Sequence, residues 1–358
     1  MTQFLQLHLL TAYPPANLNR DDSGRPKTAI FGGVERLRIS SQSLKRAWRT
    51  SDVFAQVLGE RIGQRTQRIG AEVERHLLEQ GVAEDKARAA ARTVAAAFGK
   101  VKPENDANPT YTEQLVFIPP EEHARALALG EQLAAGTIAT IEPEDVLVHA
   151  DSAADLAMFG RMLADDPAYN REAAVQVAHA ITTHRVTVED DYYVAVDDLK
   201  DAHRREDAGT SFIGVQEFGA GLFYLYICVD LDLLVANLGG QRELAADAVE
   251  ALIRAAATVA PRGKQASFAS RAYASFVLAE AGPVQPRTLA AAFLEPIGER
   301  ANDPAGASVT ALLALKTRFD NGYGAAGLTH ASMDLTGEQA TGSLDAVIAF
   351  ARDQVPAA

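Results

Sequence analysis

The chain has 358 residues, 47% of them apolar and 23% charged, with a formal net charge of −13. That length exceeds what one core usually organises, so two domains or one domain with large insertions are expected, and the composition excludes a disordered or fibrous protein. A single cysteine, Cys228, excludes an intrachain disulfide and a thiolate metal cluster.

No run approaches the roughly 20 apolar residues that span a bilayer, and "MTQFLQLHLLTAYPP" lacks the basic start and cleavage site of a secretory signal, so a cytoplasmic protein with no membrane partner is expected. The charge is unevenly spread. The first 50 residues carry eight basic against three acidic side chains, a net of +5, which leaves −18 for the remainder. A basic patch on an acidic body fits a surface that meets a polyanion while the rest repels others; the alternative is a solvated basic face without a partner.

"FLQLHLL" at 4–10 alternates, with Leu5, Leu7 and Leu9 on one side and Gln6 and His8 on the other, and reads as a first strand ending before Pro14 and Pro15. Gly24, Pro26, Gly32 and Gly33 then break the chain into an ordered loop and a short strand around Leu37 to Ile39. In "LRISSQSLKRAWR" (37–49), Ser40 or Ser41 can cap a helix running to about Thr50. Leu44, Ala47 and Trp48 fall on one side of it, and Gln42, Lys45, Arg46 and Arg49 on another.

From Gly59 to about Ile181 the text is alanine-rich and helical, including "REAAVQVAHAITTH", with loops at "VKPENDANPT" and "DDPAYN". Residues 190–218 mix β-formers, charges and glycines and read as a protruding hairpin or long loop. "LFYLYICVDLDLL" has the pattern of a central strand, "RELAADAVEALIRAAATVA" of an amphipathic helix, and "APRGKQASFAS" of a turn around Arg262 and Lys264. A strand at "YASFVLAE", a helix at "SVTALLALKTRF", the glycine-rich "DNGYGAAGLTHAS" and a helix at "SLDAVIAFARD" follow. Strands near 4, 38, 186, 222 and 273 are expected to gather into one sheet around the helical insertion.

Catalytic motifs are scarce. No two of the eight histidines have the helical spacing of a metal pair, since the "HAITTH" rings would stand about 140° apart on a helix. There is no phosphate-binding GxxxxGK[ST] loop, and "GTSFIG" has the wrong spacing for a hydrolase serine turn. The acidic runs containing Asp190, Asp191, Asp197 and Asp198 could hold the metals of a ribonuclease; against this stands a solvated hairpin whose charges protect an edge strand. The helix from Ser41 offers free amides, hydroxyls and the one-turn pair Lys45 and Arg49, a phosphate site that Arg20, Lys27 and Arg38 could extend and Lys264 could close.

"LNRDD", "AIFGG", "RISSQSLKRAWR", "FGRM", "AHAITTH", "VDDL", "QEF", "GKQ" and "NGYG" occur in an order and spacing that resemble the CasC family, the repeated guide-RNA-binding backbone subunit of the type I-E CRISPR Cascade complex. The resemblance spans nearly the whole chain and is weakest over 59–157. It implies an α+β fold with an RRM-like (ferredoxin-like) palm, an inserted helical fingers domain and a protruding thumb hairpin. The expected division is palm at 1–58, fingers at 59–181, a palm strand at 182–189, thumb at 190–218 and palm again at 219–358.

The resemblance further implies a subunit with no catalytic or metal site and no cofactor, stacking head to tail along a guide that pairs with target DNA. Its implied partners are the guide RNA, other copies of itself, the large, small, guide-processing and 5'-end cap subunits of the complex, and a recruited helicase-nuclease. Carried over by motif, the RNA-binding positions are Arg20, Lys27, Ser40, Gln42, Lys45, Arg49 and Lys264, with Met162 wedging against bases and Arg161 beside the backbone.

Overall fold

Leucines at alternate positions give the central strand its apolar face. In the computed structural model, which describes residues 2–149, 152–163, 166–195, 212–298 and 301–357, this strand is β1 (Phe4–Ala16). It runs between β9 (Phe212–Asp230) and β10 (Ala274–Gly282), antiparallel to both. It continues through Pro14 and Pro15 rather than stopping before them, because the pairing with β9 slips between Tyr13 and Ala16 and the prolines sit where no ladder donor is required.

The other strands are β2 (Thr28–Phe31), β3 (Val34–Ile39), β6 (Val175–Val177), β7 (Ala180–Thr182), β8 (Glu189–Ala195) and β11 (Thr329–Asp334), with a separate small pair, β4 (Gln64–Thr66) and β5 (Val116–Ile118). The main sheet runs β11-β10-β1-β9-β7-β3-β2, and β6 and β8 also pair with β9.

One face of the sheet carries Leu5, Leu7 and Leu9 and packs on α1 (Ser41–Arg49), α2 (Asp52–Leu58), α9 (Arg242–Thr258) and α12 (Leu344–Asp353). The opposite face is covered too. Leu10, Tyr224, Phe276 and Leu278 lie against Leu289, Phe293 and the Leu312 side of α11 (Pro304–Tyr323). Gln6 and His8, expected on a polar side, are therefore buried. The inserted helices α3 (Ile69–Glu79), α4 (Glu84–Ala96) and α5 (Pro120–Ala135) form a second apolar cluster around Val73, Leu77, Val94 and Ala126. Gly130 lets α3 and α5 approach, since a Cβ there would lie 2.6 Å from Val73 Cγ1. The short helices α6 (Pro143–Val146), α7 (Ala154–Phe159), α8 (Leu231–Asn237) and α10 (Gln265–Phe268) fill the joints. No helix among the described residues is long and apolar enough to cross a membrane.

Several local expectations are corrected. "REAAVQVAHAITTH" is not helical: Val175, Val177, Ile181 and Thr182 favour β structure and pair with β9 as β6 and β7. No strand fills 182–189; Thr183 and Val186 make single amide bonds to the Leu222 and Glu35 carbonyls between β7 and β8. The apolar run through Leu234 divides at Asp230, whose carboxylate accepts the Leu233 amide 2.9 Å away and starts α8. Thr329–Asp334, which begins inside the glycine-rich segment and runs past it, is an edge strand on β10. The hairpin at 190–218 is present in its base, β8 against β9, while 196–211 lies outside the described residues.

Two polar devices hold the layers. Arg36, counted in the basic patch, is fully buried and donates to the Phe31, Thr182 and Phe293 carbonyls at 3.2, 3.1 and 2.8 Å. On the α11 side, Glu280 lies 3.2 Å from His8 Nε2 and 3.3 Å from both Arg287 and Lys316. Burial lowers the His8 pKa, and its Nδ1 is hydrogen-bonded to the Tyr224 hydroxyl 2.9 Å away. Burial alone would push the Glu280 carboxyl up, but His8, Arg287 and Lys316 outweigh it and bring it down to about 2.

Arg36→Met should lower the unfolding free energy by about 2–4 kcal/mol in urea titrations, because three buried carbonyls lose their donor. Glu280 titrates lower folded than unfolded, so its stabilisation is complete above about pH 4.5 and is lost as pH falls towards 2. The acid limb of a stability-versus-pH curve should be shallower in Glu280→Gln.

Candidate nucleic-acid interface

Helix α1 is the centre of the basic region, and its start is fixed by neighbours in sequence and space. Ser40 is the N-cap, its hydroxyl accepting the Ser43 amide at 3.4 Å. Asn19 accepts the Ser40 amide through Oδ1 at 2.8 Å and the Lys27 amide through its carbonyl at 2.8 Å. The Lys27 carbonyl in turn accepts from Arg38 at 2.8 Å. Loop, strand β3 and helix start therefore form one hydrogen-bonded unit. The amides of Ser41 and Gln42 lie in the first turn, where no intrahelical acceptor exists. Buried Leu44, Ala47 and Trp48 fix the helix's rotation and leave Gln42 and Arg46 exposed.

Three cationic groups surround this helix. Lys45 is half-buried with its Nζ 5.9 Å from the Phe159 ring; burial first, then the charge of Arg65, lowers its pKa. Beyond Phe159 in the chain Met162 is 80% exposed. Lys27 and Arg38 lie close to His179, whose Nδ1 is 2.7 Å from Arg38; burial, then those two charges, lower the His179 pKa. Arg20, Arg46 and Arg262 line a cleft of about 630 Å³ together with Ser43 and Thr50. Lys264, half exposed, follows in a left-handed conformation (φ 48) that turns the chain into α10. Gly263 brings that turn onto the loop, as a Cβ there would stand 2.2 Å from the Leu18 carbonyl oxygen.

Two expected RNA contacts have other partners. The Arg49 guanidinium, expected beside phosphate one turn from Lys45, donates to Asp155 at 2.8 Å, reaches the Gly63 carbonyl at 3.4 Å and lies 4.1 Å from the Phe117 ring centroid. Only 13% of its side chain is exposed, because α1 packs its last turn against the inserted segment. Arg161, expected beside the RNA backbone, is 1% exposed and pairs with Glu122 at 2.6 Å. Its neighbour Met162 points out because the two alternate along the extended chain at the Arg161–Arg171 bridge. Asn19, Arg65 and Arg262 escaped the sequence reading as site residues. Asn19 was visible within "LNRDD", whereas Arg65 and Arg262 come from remote segments with no periodic signal.

The sheet face under α11 offers no open aromatic platform of the kind that stacks bases in RNA-recognition folds among the described residues, since Tyr224 and Phe276 lie under Phe293 and α11, whereas Tyr192 and Tyr193 are exposed on β8. Asp190 and Asp191 stand exposed on β8 opposite Glu217 and Gln216. Asp197 and Asp198 lie outside the described residues, and among the described ones no group of three His, Cys, Asp or Glu is placed to hold a metal ion.

Residues 5–353 match a protein family described as "CT1975-like protein". Among solved structures, a chain of a "CRISPR RNA-guided surveillance complex, pre-nicking" is 31% identical with a TM-score of 0.84, the match covering 97% of this chain and 100% of that one. A chain of another "CRISPR RNA-guided surveillance complex" is 26% identical with a TM-score of 0.74, over 98% of this chain and 99% of that one. No curated protein matches by sequence.

Asp155→Ala would leave Arg49 unpaired in a largely buried site and should cost about 3–5 kcal/mol of stability. Asp155→Asn, which keeps an acceptor, should cost less; urea unfolding of both variants checks the order.

Proposed function

The chain belongs to the CT1975-like protein family, and from that premise we propose that it is a non-catalytic guide-RNA-binding backbone subunit of a type I-E CRISPR Cascade complex. Several copies stack head to tail along one guide in the cytoplasm and hold it for pairing with target DNA in antiviral defence. The similarity to chains of RNA-guided surveillance complexes over almost the full length supports this reading. The carrying observation is the row of cations around the start of α1. Among the described residues Arg20, Lys27, Lys45, Arg46 and Lys264 have no carboxylate partner, although the chain as a whole is acidic.

Phosphates are the acceptors such a surface lacks. The amides of Ser41 and Gln42 and the Ser40 hydroxyl donate at the helix start, while Lys45, Lys27, Arg20 and Lys264 neutralise charge along the strand. Contacts of this kind carry no sequence information, which leaves the bases free for Watson–Crick pairing. Met162, apolar and outward, packs against a base. Arg49 and Arg161 serve the reading indirectly: one fixes the angle of α1 against the inserted segment, and the other orients Met162.

The purified assembly should show a 260 nm excess from RNA of defined length and identical subunits in the mass spectrum. Incubation with magnesium or manganese should leave that RNA uncut; cleavage abolished by Asp197→Ala would favour the ribonuclease instead. Lys45→Glu should weaken guide binding at low salt and flatten the slope of log affinity against log salt. An unchanged slope would remove α1 from the RNA backbone.

A further inference from the structure

Two buried ion pairs meet at one aromatic residue. Arg49 of α1 lies against Asp155, and Arg161, one position before Met162, lies against Glu122 at the start of α5. Between them stands Phe117 in the middle of β5, opposite Arg65 in the ladder with β4 and packed on Ala153 and Leu156. Its ring carries the Arg49 guanidinium, 4.1 Å from the ring centroid. Its carbonyl accepts from Arg161 Nη1 at 3.4 Å, and the same nitrogen donates to Glu122 at 2.6 Å.

The surroundings leave this residue little freedom. Gly63 runs along the ring edge, where a Cβ would stand 2.7 Å from Phe117 Cε2, and Asp155 accepts the Gly63 amide at 2.8 Å with the oxygen that Arg49 does not use. On the other side, the second oxygen of Glu122 accepts the Val148 amide at 3.0 Å. Two ion pairs are thus buried around one ring. A buried ion pair seldom stabilises more than the apolar packing it displaces, and its best-attested use is to fix a register between elements. The elements fixed here are α1, whose first turn and Lys45 form the proposed phosphate site, and the segment at the Arg161–Arg171 bridge from which Met162 points outward.

We propose that Phe117 is a positioning residue that sets how far the phosphate held by α1 lies from the base touched by Met162. Its ring holds the last turn of the helix and its main chain holds the segment of Met162. The two grips therefore keep one spacing, and Met162 meets a base at a fixed offset along the strand from the gripped phosphate. The inference rests on the guide-binding reading. It adds a register, built from the interior of the inserted segment, to backbone contacts that are otherwise indifferent to where along the strand they fall.

The test uses the assembled complex on a set of synthetic guide RNAs, each carrying 2-aminopurine at one position, whose emission rises where that base is unstacked from its neighbours. Met162→Ala identifies the positions at which emission depends on Met162, and Lys45→Gln supplies the salt slope of a lost phosphate contact. Phe117→Leu keeps an apolar side chain and the carbonyl but loses the ring face; Arg49→Lys keeps the charge beside Asp155 and loses the planar group that lies on the ring. Each should lower the emission contrast between the Met162-dependent positions and their neighbours by about twofold or more, the lower end of coupling between groups in contact, and the two together should do no more than either alone. Neither should change the salt slope by the roughly 0.7 that one lost contact to a single strand removes. Should Phe117→Leu fail to assemble, Arg49→Lys gives the same decision. A lower urea midpoint with the positional contrast unchanged would make Phe117 a packing residue and overturn the proposal, with guide binding intact. If Met162→Ala alters no position while Lys45→Gln reduces the slope, Met162 touches no base; the register is overturned and phosphate binding stands. If Lys45→Gln leaves the slope unchanged, both readings fall.

Discussion

Everything at the basic surface depends on how helix α1 is clamped at its two ends. At the start, Asn19 holds the Ser40 amide, which fixes the capping serine and points the first-turn donors outward. At the end, Arg49 closes on Asp155, whose other oxygen takes the Gly63 amide at 2.8 Å, so the last turn is tied to the inserted segment. A helix of nine residues has little stability of its own. Its position comes from these anchors and from Trp48, fully buried beneath it. The clamp therefore uses one of the helix's own cations as structure so that the others stay available as function.

The two-sided sheet has a related consequence. Its second face is filled by Leu289, Phe293 and α11 and stitched by the Glu280 cluster, so that face presents no stacking platform. On the proposed reading nucleic acid is left with the rim, where helix, loop and turn meet. Contacts proposed there reach the backbone, which would suit a subunit that holds any guide. The acidic net charge of the chain complements the proposed arrangement, because it discourages polyanions from the rest of the surface.

Much of the site was legible because it is local. A serine cap at 40 or 41, the buried stripe of Leu44, Ala47 and Trp48, and the exposed Gln42 follow from spacing in a dozen consecutive residues, and the structure selects Ser40. The base of the hairpin and the amphipathic α9 were legible for the same reason. The errors share a different cause. Val175–Thr182 sits among alanines that suggest a helix, yet β9 offers it a ladder. Arg36 and Arg49 look like surface charges in sequence, yet the nearby Phe31 carbonyl with the remote Thr182 and Phe293 carbonyls claims one, and the remote buried Asp155 carboxylate claims the other.

From the amino-acid order come the capped basic helix, its apolar stripe, the surplus of positive charge near the start and the motifs that mark the family, since each is a matter of neighbours along the chain. Tertiary structure decided which cations are free. It spent Arg36, Arg49 and Arg161 on internal acceptors, and it gathered Arg20, Arg46 and Arg262 around one opening. The physical reason is that a guanidinium's role depends on which acceptor lies within about 3 Å. Sequence distance says nothing of an acceptor more than 100 positions away, such as Asp155 for Arg49.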